Sequence, residues 1–483
     1  MELFLKYPYD VQNELLFKLL NKARNTEIGI THDFTNLNSY SDFKNKVPIQ
    51  QYESIEPLIT RARKGEQNIF WPTPIKWFAK SSGTTNAKSK FIPVSEEALE
   101  DCHFKAGKDM LCLFFNNNPE AELFTGKGLR LGGSSAVYED NNSYFGDLSA
   151  IIIENMPFWA DFSSAPKQET ALMAEWETKM KAIVDETIDE DITSLVGVPS
   201  WMLVLLNNVL ERTGKTNILE VWPNLEVYFH GGVNFNPYRE QFKKLIPKKD
   251  FKYYETYNAS EGFFAIQDVN NSYDLLLMLD YGIFYEFIPM DKFDGENSIA
   301  IPLSKVKLHK NYAMVITTNG GLWRYLIGDT VKFTSLNPYR IRITGRTKHF
   351  INVFGEELII ENVESALKQA CLKTGAEVSE YTVAPVFMKE KDSGGHEWLI
   401  EFRKHPECIN YFKELLDNAL KSINSDYEAK RYNNMTLAMP KINIAREGLF
   451  YDWLKQKAKL GGQHKIPRLS NSRKHLEELL SLT

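Results

Sequence analysis

The segment from Phe78 to Pro93 reads FAKSSGTTNAKSKFIP, a polar loop set between two apolar stretches. Its centre carries four hydroxyl groups around one glycine, with lysines on both sides: Ser81, Ser82, Gly83, Thr84, Thr85, Lys80, Lys88 and Lys90. The pattern GxxxxGK[ST] of a P-loop is absent. The hydroxyls and backbone N–H groups could still surround a polyphosphate, because hydrogen bonds to a charged oxygen contribute about 1.5–3 kcal/mol each. A surface turn of ordinary turn residues is the alternative.

The length and composition of the chain limit its class. With 483 residues it is too long for one core of ordinary size, so we expect two or more domains. Its formal net charge of -6 argues against broad nucleic-acid binding, which needs a basic face. We see no signal peptide and no apolar run long enough for a membrane span, so we expect a cytoplasmic protein. The cysteines show no CxxC spacing and are expected to be buried thiols: Cys102, Cys112, Cys371 and Cys408.

Helical and strand patterns alternate along most of the chain. Residues 10–29 place leucines at helical spacing, with Gly29 just past the end. Residues 200–214 do the same, with Ser200 as a candidate N-cap and Gly214 as the closing residue. Runs rich in aromatic and β-branched residues predict strands over 225–232, 284–289 and 312–318. This alternation predicts an α/β fold with large sheets.

The pattern changes near residue 340. From Tyr339 onward the apolar runs are shorter, and two helices against a few strands suffice for a small α+β domain. We therefore expect a large domain over 1–339 and a small one over 340–483. The residues around Asn337 and Pro338 are a candidate hinge between them.

The stretch YNASEG, Tyr257 to Gly262, is the first of three further candidate site segments. Asn258 and Gly262 suit a turn, Glu261 is a possible magnesium ligand, and the ring of Tyr257 could cover a base. An exposed glutamate in a turn is the simpler interpretation.

The second segment is GLWRYLIGDTVKF, Gly321 to Phe333. Its apolar residues lead into Gly328 and Asp329 at an expected strand end. One carboxylate there could accept both hydroxyls of a ribose with its two oxygens. A turn aspartate without a ligand is the alternative.

The third segment is GGQHKIPRL, Gly461 to Leu469. Two glycines would let a loop move, and Lys465 is a compact cation able to reach a phosphate or a carboxylate. A solvated lysine near the chain end is the alternative.

Together, in this order, SSGTT, Y-x-A-S-E, R-Y-x-x-G-D and Q-x-K-x-P-R resemble the plant auxin-inducible acyl-acid amido synthetase family. That family belongs to the acyl-adenylate-forming superfamily, which includes firefly luciferase. The stretches VPIQQYESIEPLITRARKGEQN and LVGVPSWMLVLL are also similar, so the resemblance covers nearly the whole chain. It implies a large N-terminal domain of β-sheets flanked by helices and a smaller mobile α+β C-terminal domain.

The resemblance also implies a two-step reaction. A small-molecule carboxylic acid attacks the α-phosphate of ATP with Mg²⁺ present, and pyrophosphate leaves. An amine, usually that of an amino acid, then attacks the acyl carbon and releases AMP. Because two anions must meet, cations and N–H dipoles have to offset their repulsion.

Site roles follow from the family motifs, residue by residue. The catalytic candidates are Lys465, which would stabilise the reacting charges, and Glu261, which would hold Mg²⁺. The remaining residues would bind ATP: Ser81, Ser82, Gly83, Thr84 and Thr85 the phosphates; Gly231 and Gly232 beside the adenine; Tyr257, Ala259 and Ser260 along the nucleotide site; Asp329 the ribose; and Arg346 the nucleotide or the hinge.

This sequence also departs from the plant pattern. His464 replaces a tyrosine before the lysine, and Leu326 stands where a basic residue is common. The expected acyl pocket, lined from Leu129 to Trp159 and around Val198, Pro199 and Trp201, offers no clear cation for a particular acid. We therefore expect a bacterial member with its own acid and amine. The acid, the amine and the oligomeric state stay open.

Three functions compete. The first is the amide ligase. The second is an acyl-CoA ligase, which shares the adenylation step. The third is a non-catalytic nucleotide-binding relative. His230 is expected to be a packed histidine at a strand end, since no metallohydrolase or deaminase pattern accompanies it.

Overall fold

The computed structural model describes residues 1–81, 90–132, 138–140, 143–157, 163–232, 235, 238–347, 350–351, 358–386, 394–424, 427–428, 431, 437–457, 466–470 and 472–482. Within these ranges the chain forms two compact units. One holds Met1–Ile327 and Val331–Arg342, and the other holds Gly328–Thr330 and the chain from Ile343 onward. Asn337 and Pro338 form the turn after a strand inside the first unit. The chain therefore does not pass from one unit to the other at the expected hinge position.

The strands, in chain order, are β1 Trp77–Ser81, β2 Lys90–Val94, β3 Lys127–Leu131, β4 Tyr138–Asp140, β5 Ser143–Gly146, β6 Ser164–Ala165, β7 Ile192–Gly197, β8 Val227–Gly231, β9 Lys252–Ala259, β10 Gly262–Ile266, β11 Leu275–Leu277, β12 Ile283–Pro289, β13 Ile301–Pro302, β14 Asn311–Thr318, β15 Tyr325–Leu336, β16 Tyr339–Arg346, β17 Phe350–Ile351, β18 Leu358–Ile359, β19 Glu377–Val386, β20 Gly395–Lys404 and β21 Lys441–Ala445. The strands predicted over 225–232, 284–289 and 312–318 correspond to β8, β12 and β14.

The helices are α1 Glu2–Lys6, α2 Pro8–Ala23, α3 Glu27–Thr31, α4 Tyr40–Lys46, α5 Tyr52–Arg63, α6 Glu96–Ala98, α7 Lys105–Asn117, α8 Leu148–Glu154, α9 Gln168–Ala171, α10 Trp176–Thr187, α11 Pro199–Thr213, α12 Arg239–Leu245, α13 Ile360–Thr374, α14 Ile409–Ile423, α15 Leu449–Gln456 and α16 Lys474–Leu480. A π-helical segment, Leu99–Phe104, joins α6 to α7. In the described part of the chain, no helix has both the length and the apolar character needed to cross a membrane.

A 12-stranded sheet dominates the fold, in the order β13-β12-β14-β15-β16-β11-β10-β9-β8-β7-β3-β6. Strands β9, β8, β7, β3 and β6 run parallel to one another, whereas β9 pairs with β10 antiparallel. The first four residues of β8, Val227 to His230, are all buried, as expected for a parallel strand that is covered on both faces. The α/β fold class is confirmed.

The two predicted helices form, with corrections at their ends. In α2, Leu16, Leu19 and Leu20 are buried, as the helical spacing predicted. Gly29 does not end this helix but lies inside α3, where its N–H donates to the hydroxyl of Thr26. This hydroxyl caps α3, so a new helix begins here and the chain does not continue as a loop.

The N-cap of α11 is Val198 rather than the predicted Ser200, because Pro199 takes the first helical position. Gly214 closes the helix at φ +67°, as predicted.

A four-stranded sheet, in the order β2-β1-β5-β4, carries the segment that opened the sequence analysis. Strands β1 and β2 pair antiparallel, with Ser81 opposite Lys90. The Tyr52 hydroxyl accepts the N–H of Phe91 at 2.9 Å, and the Arg63 guanidinium lies 3.5 Å from the centre of the Phe91 ring. Helix α5 therefore packs against β2, the strand that follows residues 82–89.

The second unit has its own core around the sheet β19-β20-β21. Helices α13 and α14 supply apolar residues such as Val363 and Leu416, both fully buried.

The cysteines are free thiols, so the expectation of no disulfide framework is confirmed. The expectation that all four are buried is wrong, because Cys112 and Cys408 are exposed.

Candidate active site

The carboxyl ends of the parallel strands gather several of the predicted residues. Strand β8 ends at Gly231, and β9 ends at Ala259. Strand β7 ends at Gly197, and Val198, a residue of the expected acyl pocket, connects it to α11. Parallel strands end at one edge of a sheet, and ligands of open α/β sheets bind at that edge. The predicted adenine segment and part of the predicted acyl pocket therefore lie at the same edge of the first unit.

Gly231 lies so close to β9 that no side chain fits. It stands opposite Thr256 in the parallel register. A Cβ atom at Gly231 would lie 2.6 Å from the Thr256 carbonyl oxygen and 3.2 Å from Asn258 Oδ1. Gly232 follows with φ +79°, a backbone conformation that favours glycine. Because neither glycine has a side chain, a ligand could approach the backbone closely at the end of β8.

The YNASEG segment is a tight β-hairpin rather than a loop. Strand β9 runs on through Ala259, and β10 begins at Gly262, which pairs with Ala259. Ser260 and Glu261 form the two-residue turn between them. The segment therefore places a buried serine and a half-buried glutamate at the edge described above.

Tyr257 corrects the sequence interpretation. Its side chain is 4% exposed, and its ring lies 4.8 Å from that of Phe264 in the core. Its hydroxyl lies 3.7 Å from Met314 Sδ. Side chains alternate along a strand, so Tyr257 faces the core while Asn258 lies beside Gly231. The ring does not occupy the expected base-covering position.

A contact just after the Ser260–Glu261 turn, which the sequence did not predict, fixes the start of β10. Ser260 is buried, and its hydroxyl has no hydrogen-bond partner among the described residues. The N–H of Phe263 donates to Cys102 Sγ at 3.2 Å. Burial raises the pKa of the Cys102 thiol to about 12, so it stays protonated. The π-helical segment carrying Cys102 thus fixes the strand that follows Glu261.

His230 is a packed strand-end residue, as predicted. Its ring stacks on Phe235 with centroids 4.0 Å apart. Burial, and to a smaller extent the charge of Arg239, lowers the pKa of His230 to about 3. The imidazole is therefore neutral and adds no positive charge beside Gly231.

Asp329 and Arg346 meet in the second unit. Arg346 Nε lies 2.7 Å from Asp329 Oδ1, and the aspartate side chain is 7% exposed. Asp329 lies inside β15 rather than at a strand end, which corrects the prediction. Gly328 adopts φ +88°, and its carbonyl accepts the N–H of Thr347 at 2.7 Å. The structure therefore brings two predicted site residues together and orients the carboxylate by an ion pair.

Arg324, the arginine of the R-Y-x-x-G-D segment, has a structural role. Its guanidinium binds both oxygens of Glu286 at 2.8 Å, and both side chains are buried. The same guanidinium donates to the carbonyls of Lys44 and Val47. A φ of +44° at Arg324 turns the chain into β15. Part of this motif thus holds the strand that carries Asp329.

Comparison with known proteins identifies the family. Residues 1–251 match the GH3 family N-terminal domain, 276–346 the GH3 family central domain and 361–474 the GH3 family C-terminal domain. The chain belongs to the GH3 family. The resemblance drawn from the motif order is therefore confirmed.

The relatives agree with this GH3 assignment, and solved structures share the fold. The chain is 22% identical to the indole-3-acetic acid-amido synthetase GH3.3 of Arabidopsis thaliana, over 95% of this chain and 89% of that protein. It resembles the structure of the GH3.15 acyl acid amido synthetase with a TM-score of 0.80 and 17% identity, covering 98% and 93% of the two chains. A 2-hydroxyisobutyryl-CoA ligase in the postadenylation state has a TM-score of 0.61 and 13% identity, covering 98% and 91%.

Several predicted residues of this GH3 protein lie outside the described ranges: Ser82, Gly83, Thr84, Thr85 and Lys465. Ser81 is described as the last residue of β1. In the described part of the chain, no group of three acidic, histidine or cysteine side chains forms a metal cage. A single carboxylate such as that of Glu261 fits Mg²⁺, which usually takes only one or two protein carboxylates and keeps phosphate or water ligands.

Proposed function

We propose that this GH3 protein is an ATP-dependent acyl-acid amido synthetase. The observation that carries the proposal is the shared sheet edge, where Gly231, Gly232 and the Ser260–Glu261 turn lie with the start of α11. An ATP site and an acyl site must be adjacent for a carboxylate to reach the α-phosphate. The names of the relatives, which are acid-amido synthetases, support the same reaction class.

The reaction has two balanced steps. A carboxylate oxygen of the acid attacks the α-phosphorus of ATP, the bond to the bridging oxygen of the β-phosphate breaks, and pyrophosphate leaves. The amine nitrogen then attacks the acyl carbon, the bond to the AMP oxygen breaks, and the amine proton passes to solvent. Water must be excluded between the steps, because the mixed anhydride would otherwise hydrolyse.

In the first domain, over residues 1–339, the roles follow from the geometry and the family motifs. The backbone at Gly231 and Gly232 lets the nucleotide approach β8 closely. The Ser260 hydroxyl, which is buried and has no hydrogen-bond partner among the described residues, would bind the nucleotide, and Ala259 would offer only backbone and a methyl group there. Glu261 would hold Mg²⁺, which supplies charge neutralisation on the phosphates. The loop from Ser81 to Thr85 would bind the phosphates with its hydroxyls and N–H groups.

In the small domain, over residues 340–483, the proposed roles belong to Arg346 and Lys465. Asp329, which lies in the same compact unit, would accept the ribose hydroxyls, and Arg346 would fix the orientation of that carboxylate. Lys465 would stabilise the negative charge that develops between acid and phosphate. We propose that this domain moves between the two half-reactions. Crystals with and without an adenylate that show one interdomain angle would contradict the movement.

The first test is a screen of carboxylic acids for ATP–pyrophosphate exchange, followed by mass spectrometry of products formed with mixed amino acids. The proposal expects exchange with at least one acid and an amide product with at least one amine. Turnover with coenzyme A alone would instead establish the acyl-CoA ligase. Nucleotide binding without exchange for any acid would establish the non-catalytic relative.

The second test is Lys465→Ala. Removing one group that stabilises transition-state charge costs about a hundredfold or more in rate, so exchange should fall by that factor. Lys457→Ala is the matched control, because Lys457 is a lysine of the same unit that pairs with Glu478. An unchanged exchange rate in Lys465→Ala would remove this lysine from the mechanism.

A further inference from the structure

The guanidinium of Arg239, the first residue of α12, lies in a cage of three aromatic rings. Its central carbon is 5.0 Å from the centre of the Phe235 ring, 5.6 Å from that of Tyr253 and 5.2 Å from that of Tyr273. The face of an aromatic ring attracts a cation, so each of these contacts favours the observed position of the side chain. The aromatic cage therefore fixes the guanidinium in place before any ligand binds.

The charge of Arg239 is not neutralised by any residue that the structure describes. Its Nε is buried and makes no hydrogen bond, and no described carboxylate forms an ion pair with its guanidinium. The adjacent Glu240 is exposed and pairs with a lysine of its own helix. Arg342 lies 6.0 Å from the centre of the same Tyr273 ring, but it pairs with Asp274 at 2.6 Å. Of these two arginines at one ring, Arg239 thus has a place for an anion.

Two more buried polar atoms beside the aromatic cage lack a hydrogen-bond partner in the described part of the chain. They are the Tyr253 hydroxyl and Nδ1 of His230. The centre of the Phe235 ring lies 5.0 Å from that of Tyr253 and 4.0 Å from that of His230. Burial raises the pKa of Tyr253 and lowers the pKa of His230 to about 3, so both groups are neutral at pH 7. Because buried polar groups are normally paired, such a cluster is typical of a place where a polar ligand binds.

The aromatic cage adjoins the segment that we propose for the nucleotide. His230, which stacks on Phe235, directly precedes Gly231 at the end of β8. Arg239 begins the helix that follows this segment, and both belong to the first compact unit. The acceptor has to approach the mixed anhydride where that anhydride forms. A cation next to the end of β8 is therefore placed to bind the acceptor.

From these observations we propose that Arg239 binds an oxyanion of the acceptor, which in the amide-forming reaction is the carboxylate of an amino acid. The inference rests on the proposed function and names the group by which its second substrate is recognised. A guanidinium presents a planar fork of N–H donors that matches the two oxygens of a carboxylate. The contact would also keep this carboxylate from the α-phosphate, so the acceptor would not compete with the acid for activation. A phosphate of coenzyme A offers similar oxygens, and the experiment separates the two sources.

Arg239→Met and Arg342→Met form a matched pair of variants. Methionine keeps an unbranched apolar side chain against the aromatic rings and removes the charge. Arg342 lies at the same Tyr273 ring, but its guanidinium is already paired with Asp274. Arg239→Lys keeps the charge and loses the planar fork, so it should recover only part of any lost binding.

The measurement compares three acceptors, using the acid and the amino acid that the exchange and product screen supplies. The acceptors are that amino acid, its carboxamide, and hydroxylamine, which gives a hydroxamate. Arg239→Met should raise KM for the amino acid by about tenfold to a hundredfold, because hydrogen bonds to a charged group are lost. KM for the carboxamide and for hydroxylamine, and the rate of pyrophosphate exchange, should stay within about twofold. Arg342→Met should leave all of these values within about twofold.

The comparison of acceptors separates binding from a structural role. Equal increases of KM for the amino acid and for its carboxamide in Arg239→Met would overturn the inference, because only the amino acid carries the anion. An unchanged KM for the amino acid would overturn it as well.

The outcome with coenzyme A is distinct. If coenzyme A alone accepts the acyl group and its KM rises in Arg239→Met, the oxyanion is a phosphate, and the amide ligase is refuted while the subsite stands. An unaltered protein without exchange for any acid would refute the proposed function, and the inference with it, before any variant is made.

Discussion

Replacing Gly231 with alanine tests the geometry of the strand edge directly. The added methyl carbon would lie 2.6 Å from the Thr256 carbonyl oxygen and 2.8 Å from Thr256 Oγ1. The hydroxyl can rotate away, but the carbonyl is backbone of β9. An ordinary carbon–oxygen contact needs roughly 3.4 Å, so the ends of β8 and β9 must separate by about 0.8 Å.

The expected magnitude follows from this displacement. Overpacking of one methyl group in a tight site costs about 1–3 kcal/mol. In a unit of this size, each kcal/mol lost from the free energy of unfolding lowers the thermal unfolding midpoint by at most about 2–4 °C. The same movement displaces the backbone proposed to approach the nucleotide. We therefore expect KM for ATP to rise by about tenfold in Gly231→Ala.

The assay combines thermal unfolding with the ATP dependence of pyrophosphate exchange. Gly107→Ala is the control, because Gly107 lies in α7 with no atom within 4 Å of the added Cβ position. Alanine there should leave KM unchanged and stabilise the helix by up to about 1 kcal/mol. A Gly231→Ala protein with the unfolding midpoint and KM of the unaltered protein would refute the close approach of β8 and β9. A lowered midpoint with normal KM would refute only the nucleotide role.

Two further predictions concern stability. Glu286→Gln should lower the free energy of unfolding in denaturant by about 3–5 kcal/mol, because it leaves the buried guanidinium of Arg324 without its carboxylate. The control Glu240→Gln, in a surface ion pair, should lower it by less than about 1 kcal/mol. Equal effects of the two changes would contradict the role of the buried pair. For Glu397, burial raises the pKa, but hydrogen bonds, chiefly from Lys441, outweigh it and hold the pKa at about 2. A lowered pKa in the folded state adds to the free energy of unfolding at pH values above the unfolded pKa near 4.5, and this contribution is lost as the pH falls toward 2. Between pH 5 and 2, the free energy of unfolding should therefore fall by on the order of 2–3 kcal/mol more in the unaltered protein than in Glu397→Gln. Parallel pH curves for the two proteins would contradict this.

The sequence predicted the fold class well because apolar periodicity is a local property. The leucine spacing of α2 and α11 and the β-branched runs of β8, β12 and β14 each follow from burial of one or both faces. The family was recognisable for a related reason. An ordered set of four motifs over one chain is far less frequent by chance than any one of them.

The errors at the site share one cause. The sequence pattern assigned Tyr257 to a turn segment and Asp329 to a strand end, because small polar residues lie near them, yet both residues lie within strands. Strand length is set by pairing with neighbours distant in sequence, which a local pattern does not contain. The contact of Cys102 with Phe263 joins residues 161 positions apart and left no signal in the sequence.

The sequence by itself determined the order of helices and strands, the types of reactive group and the family, since each depends on residues close together in the chain. Tertiary structure alone decided which of those groups meet. It set the approach of Gly231 to Thr256, the pairing of Arg346 with Asp329 and the enclosure of Arg239 by three aromatic rings. Such contacts depend on strand register and on charges buried together, and both arise only when separate segments pack into one core.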